Sequence, residues 1–285
     1  MPRVAPARVR RRVFGRDPRA YDRARLRYPA RVYRILTETC GLRPGASVFE
    51  IGPGTGIASR ELLRRGADPL LLIEADRRLA AYLRGTLRPR SAHVEYSVRP
   101  FERTALPPGS FDLGVAATSF HWLPERRSLR RIARALRPGG WWATWENQHG
   151  DPSRDAEFHR ALQPIYQELA GGRKGRPYTK AAARRLRSKR LLALRSVAGF
   201  ESISGEEIHW TATLTVAEVV ALWGTFSDVV TLPLAKRGWF LDTLERTVHQ
   251  QFGKTVRLPV LTPMYTARRV GSLDGRRATD ADRGT

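Results

Sequence analysis

Cysteine is all but missing from these 285 residues, with Cys40 standing alone. A single thiol cannot close an intramolecular disulfide or furnish the ligand set of a structural zinc site, so neither device holds this chain together, and no metal site is expected. Cys40 falls where a helix should end, and a half-buried structural thiol is expected there. Long apolar runs are missing too. No stretch approaches the ~18 uninterrupted apolar residues that a membrane-spanning helix requires. The N-terminal MPRVAPARVRRRVFGR carries charge with no apolar segment behind it, which is not the layout of a secretory signal. A soluble, cytoplasmic protein without a membrane span is therefore expected. Acids are scarce as well: 27 Asp and Glu against 51 Lys and Arg leave a formal charge of +24.

That excess raises nucleic acid as a partner, because clustered cations bind phosphates through counterion release. Lysine occurs only at Lys174, Lys180, Lys189, Lys236 and Lys254, and the arginines are spread through every segment, including helices that must also pack. Such a spread fits a solvated basic surface better than a binding patch. Only Arg8 to Arg12 (RVRRR) and Arg184 to Arg190 (RRLRSKR) are dense enough to meet RNA or an acidic partner. Nucleic acid is accordingly the less favoured partner.

The apolar pattern divides the chain into four parts. Residues 1–20 read as a basic mobile arm and 271–285 as a disordered tail, since neither carries periodic apolar residues. In the part 21–150, PARVYRILTETCGL starts a helix at Pro29 and stops it at Gly41. Strands then alternate with helices: Ser47 to Ile51, helix Ala58 to Arg65, Pro69 to Ala75, helix Arg77 to Leu87, His93 to Val98, Phe111 to Ala117, helix Ser128 to Leu136, and Trp141 to Glu146. Nearly continuous apolar strands separated by helices mean a parallel sheet covered on both faces. The part 151–270 reads as helices Glu157 to Leu169 and Thr179 to Leu194 around the break GGRKGRPY, then strands Glu207 to Leu214 and Val256 to Val270 with a helical pair between them. The predicted fold is α/β: a Rossmann-like, doubly wound, mostly parallel seven-stranded sheet with an antiparallel last strand and a helical cap or lid.

Chemistry concentrates in VFEIGPGTGI, at the strand-to-helix turn where open parallel sheets bind ligands. Gly52, Gly54 and Gly56 do not fit the dinucleotide fingerprint, whose third glycine would fall on Ile57. An E-x-G-x-G-x-G turn lets backbone pass closely under a ligand with no phosphate to seat. Three alternating glycines after an acid are a poor way to stabilise a plain turn, so ligand binding is favoured over simple geometry. Asp76 suits a helix start, where acids are welcome. Trp141, Trp142 and Trp145 alternate along a strand, and sheet packing outweighs base stacking for them.

Glu50-Ile51-Gly52-Pro53-Gly54-Thr55-Gly56 resembles motif I of class I S-adenosyl-L-methionine (SAM) dependent methyltransferases. Four further segments resemble the same family in order: Leu72-Ile73-Glu74-Ala75-Asp76, Phe111-Asp112-Leu113, Ser119-Phe120-His121-Trp122-Leu123, and Leu136-Arg137-Pro138-Gly139-Gly140. They look most like its small-molecule branch of trans-aconitate and ubiquinone-type enzymes, whose N-terminal cap helix Tyr21-Asp22-Arg23-Ala24-Arg25 with Tyr28-Pro29 is similar to. The resemblance spans about Tyr21 to Val270 and implies SAM as cofactor, in a core of 21–150. It implies a cofactor site of Glu50, Gly52, Pro53, Gly54, Thr55, Gly56, Glu74, Ala75, Phe101, Glu102 and Ser119, with Glu74 on the ribose hydroxyls. Pro100 stands where the family usually offers the adenine a polar side chain, leaving the Phe101 amide and Glu102 carboxylate to replace it.

The acceptor implied is a small organic molecule, a secondary metabolite or an organic acid, methylated on O, N or C by in-line displacement. Phe120, Trp122, Trp145 and Phe226 are its candidate contacts, the last within Gly224-Thr225-Phe226-Ser227. A base is optional, because a carboxylate acceptor is already ionised at neutral pH. For a hydroxyl acceptor, His121, Tyr21 or Tyr28 is placed to take the proton. A packed, hydrogen-bonded role remains the alternative for His121. Two competing functions stay open: methylation of RNA or protein, and a SAM-fold protein that catalyses another step. The chain has no Asn-Pro-Pro-Tyr-type segment after the fourth strand, which weakens the first of these.

Overall fold

The structure, a computed structural model, describes residues 14–88, 92–154, 157–169 and 179–271. Residues 1–13 of the expected arm, the GGRKGRPY break and the tail from 272 lie outside the described residues.

A short helix α1 (Pro18–Ala24) opens the described chain, with Asp17 accepting from the Ala20 amide as its N-cap. It begins three residues before Tyr21, because Asp17 and Pro18 supply a cap and a first-turn proline that the apolar spacing does not reveal. Helix α2 (Ala30–Glu38) then buries Val32, Tyr33, Ile35 and Leu36. Cys40 follows it with no exposure at all, and this burial pushes its thiol up to about 12. The expected half-buried thiol is corrected to a fully buried one: the chain bends inward after α2 and packs Cys40 with Leu42 and Val48.

The alternation then runs β1 (Ala46–Ile51), α3 (Ile57–Arg64), β2 (Ala67–Ile73), α4 (Arg77–Thr86), β3 (Val94–Ser97), β4 (Phe111–Ala117), α5 (Glu125–Ala135) and β5 (Leu136–Trp145). Beyond it come α6 (Glu157–Leu169), α7 (Lys180–Arg195), β6 (Phe200–Thr215), α8 (Val216–Trp223), α9 (Ser227–Val230), α10 (Leu234–Phe252) and β7 (Thr255–Arg269). The strands form one seven-stranded sheet of order β3-β2-β1-β4-β5-β7-β6. Strands β1 to β5 pair in parallel, and β7 runs antiparallel to both of its neighbours. The expected α/β sheet with an antiparallel last strand is therefore the fold.

Two apolar clusters cover the sheet's two faces. One joins α2, α3 and α4 to Val48, Leu70, Leu113 and Trp145, and the other joins α5 and α7 to Phe49, Phe120, Trp142 and Tyr265. Trp142 and Trp145 thus face opposite sides, as alternation on a strand requires. A third cluster belongs to the elaboration, where α6, α8 and α10 pack Phe158, Trp223, Phe240 and Val248 against Leu258 and Val260 of β7. Each large side chain so buried contributes roughly 1.5–3 kcal/mol. This third core makes the elaboration a packed unit in its own right, on the sheet edge beyond β5.

Candidate functional site

The strand order reverses beside β1, and the crevice at the carboxyl ends of β1 and β4 is where such sheets hold ligands. The glycine turn after β1 has left-handed backbone at Gly52 (φ +65°), Gly54 (φ +60°) and Gly56 (φ +87°). Each has its own reason. A side-chain carbon on Gly52 would lie 2.6 Å from the Ser119 Cβ, and one on Gly56 would lie 2.5 Å from Leu83. A side-chain carbon on Gly54 would meet no other part of the protein within 4 Å, so this glycine opens onto the crevice itself. Pro53 and Thr55, between them, are buried. Ser119, following β4, is bound to the turn by a hydroxyl that donates to the Ile51 carbonyl.

Two carboxylates flank the turn. Glu50 is fully buried in β1 and accepts from Ser59 Oγ (2.6 Å) with one oxygen, while its other oxygen is buried without a partner. Burial, with Glu74 nearby, pushes Glu50 up to about 7 although the Ser59 bond opposes it. Glu74, just past β2, accepts from the Gly54 amide (3.0 Å) and the Asp76 amide (2.8 Å), and its burial raises its pKa against those bonds. Asp76 itself caps α4 by accepting from Arg78. Ala75 is exposed between the two acids. Across the crevice a single helical turn, Phe101–Arg103, places the Phe101 ring in the core and leaves Glu102 half-buried. An open glycine, an orphaned buried carboxylate oxygen and a second buried acid on the neighbouring strand fit a cofactor with hydroxyls and a cationic amine.

The cap closes over this crevice through Asp22. Its carboxylate accepts from Arg60 on α3 (3.1 Å), from Arg27 (3.2 Å) and from Tyr82 on α4 (3.4 Å). Asn147 Nδ2 adds bonds to the carbonyls of Leu26 (3.4 Å) and Arg27 (3.3 Å). Beneath the cap lies a small recess, partly open to solvent, lined by Tyr21, Arg25, Tyr28, Thr118, Asn147 and His149, among others. The Tyr28 hydroxyl meets Thr118 Oγ1 at 2.8 Å, and Thr118 holds a left-handed φ of +55°, rare for a β-branched residue. Burial raises the Tyr28 phenol well above its ordinary range. His149 is pushed the other way, down to about 3, by burial and by the charge of Arg25.

The sequence-predicted acceptor residues are split by the structure. Tyr21 and Tyr28 line the cap recess, with Phe14 against Tyr21 (5.6 Å) and close to Trp122 (6.4 Å). Phe226 packs at a tilt against His149 (4.8 Å) at the same side. His121 instead lines a second small recess, with Phe120, Trp145, Glu146, Arg190 and Tyr265. There His121 Nδ1 pairs with Glu146 (3.2 Å). Burial works to raise the pKa of Glu146, but His121 and Arg190 outweigh it and hold the carboxyl low. Trp145 is only 2% exposed and packs edge-on against Tyr28 (5.7 Å), forming the wall between the two recesses. Arg25, Thr118, Asn147 and His149 were not singled out by sequence. The last three stand at the carboxyl ends of β4 and β5, a position that marks them once the strands are drawn.

A sheet of this order with its glycine turn and paired acids defines the class I methyltransferase fold. Residues 49–144 match the methyltransferase-domain family model. Over 237 residues the chain is 26% identical to an uncharacterized methyltransferase of Mycobacterium tuberculosis, covering 82% of this chain and 84% of the relative. It is 34% identical over 112 residues to ribosomal RNA small subunit methyltransferase A of Deinococcus radiodurans, 38% of each protein. A solved structure from Anaeromyxobacter dehalogenans, described provisionally as a type II methyltransferase, superposes with a TM-score of 0.59 at 24% identity, over 87% of this chain and 98% of that one. Residues 49–144 thus match a methyltransferase domain, within a chain that is similar to an uncharacterized methyltransferase over most of its length.

Proposed function

We propose that the chain moves the methyl group of SAM to a nucleophilic O, N or C of a small organic molecule held in the recess beneath the cap helix. The observation that carries this is the convergence of α1, the end of β4 and Asn147 to His149 on one recess beside the open glycine turn. Bound SAM supplies an activated methyl group, and the residues have the tasks of orientation and water exclusion. Gly52, Gly54 and Gly56 with Pro53 and Thr55 form the floor, Glu50 takes an amine, and Glu74 exchanges its bonds to Gly54 and Asp76 for ribose hydroxyls. Ala75, Phe101 and Glu102 flank the base, and Ser119 keeps the floor in place. Alignment of acceptor and methyl donor of this kind contributes roughly 7–11 kcal/mol to barrier reduction.

Tyr28 acts as a positioned donor here, since its raised phenol pKa disfavours a resting phenolate. Tyr21, Trp122 and Phe226 form the acceptor wall. His121, oriented by Glu146, is the candidate base for a hydroxyl acceptor reaching past Trp145. The small-molecule branch of trans-aconitate and ubiquinone-type enzymes is the subgroup this arrangement suits best. The partial likeness to a ribosomal RNA methyltransferase and the basic surface favour RNA as a second reading. The lack of an Asn-Pro-Pro-Tyr-type segment after the fourth strand speaks against it. Incubation with methyl-labelled SAM, a metabolite set and total RNA tests the choice. Label on a metabolite supports the proposal, and label confined to RNA overturns it.

A further inference from the structure

Arg25 is the odd cation of the cap. Its guanidinium lies 4.9 Å from the ring centres of both Tyr21 and Phe226, and Nη2 donates to the Thr225 carbonyl (3.2 Å). Its Nε is buried without a hydrogen-bond partner. Among the described residues no carboxylate comes within ion-pair distance of it, and Asp22, three residues earlier, is engaged by Arg27 and Arg60. Leaving a buried guanidinium N–H without an acceptor is unfavourable, even where the rest of the group is only partly buried. A second orphan faces the same recess: His149 Nε2 is buried with no partner, and His149 is uncharged at neutral pH. Two unsatisfied groups, one cationic and one neutral, therefore line a recess in which Tyr28, Thr118 and Asn147 are already bonded.

We infer that Arg25 and His149 form a subsite for a carboxylate of the acceptor. The Nε edge of a guanidinium presents two parallel N–H groups that match a carboxylate's oxygens, while an ammonium offers only a point charge. One uncompensated positive charge balances one negative charge, which suits a monoanionic carboxylate better than a phosphate dianion. Stacking between Tyr21 and Phe226 fixes the fork, so little side-chain freedom is lost when the acid docks. The role is recognition, separate from the methyl transfer itself, and it rests on the methyltransferase reading above.

The test uses the full chain, methyl-labelled SAM, and a panel of mono- and dicarboxylic acids, their methyl esters and amides, and phosphate monoesters. Carboxylates should be turned over in preference to their neutral counterparts. Arg25→Met should raise KM for the best carboxylate by roughly 10- to 100-fold, the span of a lost hydrogen bond to a charged group, and shrink its advantage over the matched ester. Arg25→Lys should recover part of that advantage. Calorimetric affinity for S-adenosylhomocysteine should change by less than about twofold in both variants, which separates a lost subsite from a misfolded cap. The inference is overturned if neutral acceptors or phosphate monoesters are preferred, if no carboxylate is turned over by protein that binds S-adenosylhomocysteine, or if Arg25→Met leaves the carboxylate KM unchanged. Absence of S-adenosylhomocysteine binding by the wild-type chain overturns the methyltransferase reading instead.

Discussion

The proposed cofactor crevice and the proposed acceptor recess lie side by side, yet they are built in different ways. The crevice is made of consecutive backbone: Glu50 to Gly56 at the end of β1 and Glu74 at the end of β2, with polar groups bonded to main-chain amides. The recess is assembled from segments far apart in sequence, Tyr21 to Tyr28, Thr118, Asn147 and His149, and is held by side-chain bridges through Asp22 and Asn147. Backbone geometry tolerates few substitutions, whereas a bridged recess can change its lining while keeping its frame. On the proposed reading, the crevice carries the chemistry common to a fold and the recess the choice of acceptor.

Substitutions at the glycine turn should break this contrast most severely. Gly52→Ala drives a methyl group into Ser119 at a left-handed φ, so both folding and cofactor binding should suffer. Gly54→Ala meets no protein atom, and its penalty on folding should be limited to the left-handed strain of about 1–2 kcal/mol. Its added methyl nonetheless points into the crevice. Thermal melts with S-adenosylhomocysteine titrations on both variants check the pair. The expected outcome is a stable Gly54→Ala protein with cofactor affinity lost, and equal affinity in it and the wild type would remove the crevice from the account.

Smaller but still large is Glu74→Ala, which should weaken S-adenosylhomocysteine binding by about 1.5–3 kcal/mol, the range for hydrogen bonds to a charged group. An unchanged dissociation constant would move the ribose contact to Asp76 or elsewhere.

The two regions should also respond to pH in opposite directions. His149 has its pKa depressed from 6.5 to about 3, so the stability it contributes is present above pH 6.5 and is lost as pH falls toward 3. The wild type should lose melting temperature across that window more steeply than His149→Gln, and parallel slopes would contradict the buried neutral imidazole. Glu50 has its pKa raised from 4.5 to about 7, so its contribution is present below pH 4.5 and is lost as pH rises through 7. Glu50→Gln should gain a few degrees over the wild type at pH 8 and little at pH 4.5, the smallest of these effects.

How much of this was legible in the sequence follows the same division. Strands β1 to β4 and their helices follow from apolar runs, and the glycine turn with Glu74 follows from local spacing alone. Strand β5 starts at Leu136 rather than Trp141, because pairing of Leu136 with Phe111 extends it through a turn-like RPGG. Strand β6 starts at Phe200 rather than Glu207, since Glu201 to Glu206 is polar and irregular and is held as strand by pairing with β7. Arg25 and His149 could not be seen at all. One among dozens of arginines becomes conspicuous only when folding leaves it without a carboxylate, and one histidine only when burial leaves its nitrogen unpaired. His121 was legible as a residue, but its separation from Tyr28 by the Trp145 wall was not.

Calorimetry on the purified wild-type chain, titrated in turn with S-adenosylhomocysteine and NADH, tests the central claim most directly. The glycine turn lacks the third glycine of a pyrophosphate-binding fingerprint and opens at Gly54 beside two buried acids, so heat of binding is predicted for S-adenosylhomocysteine and none for NADH. Tight binding of NADH with no response to S-adenosylhomocysteine would contradict it.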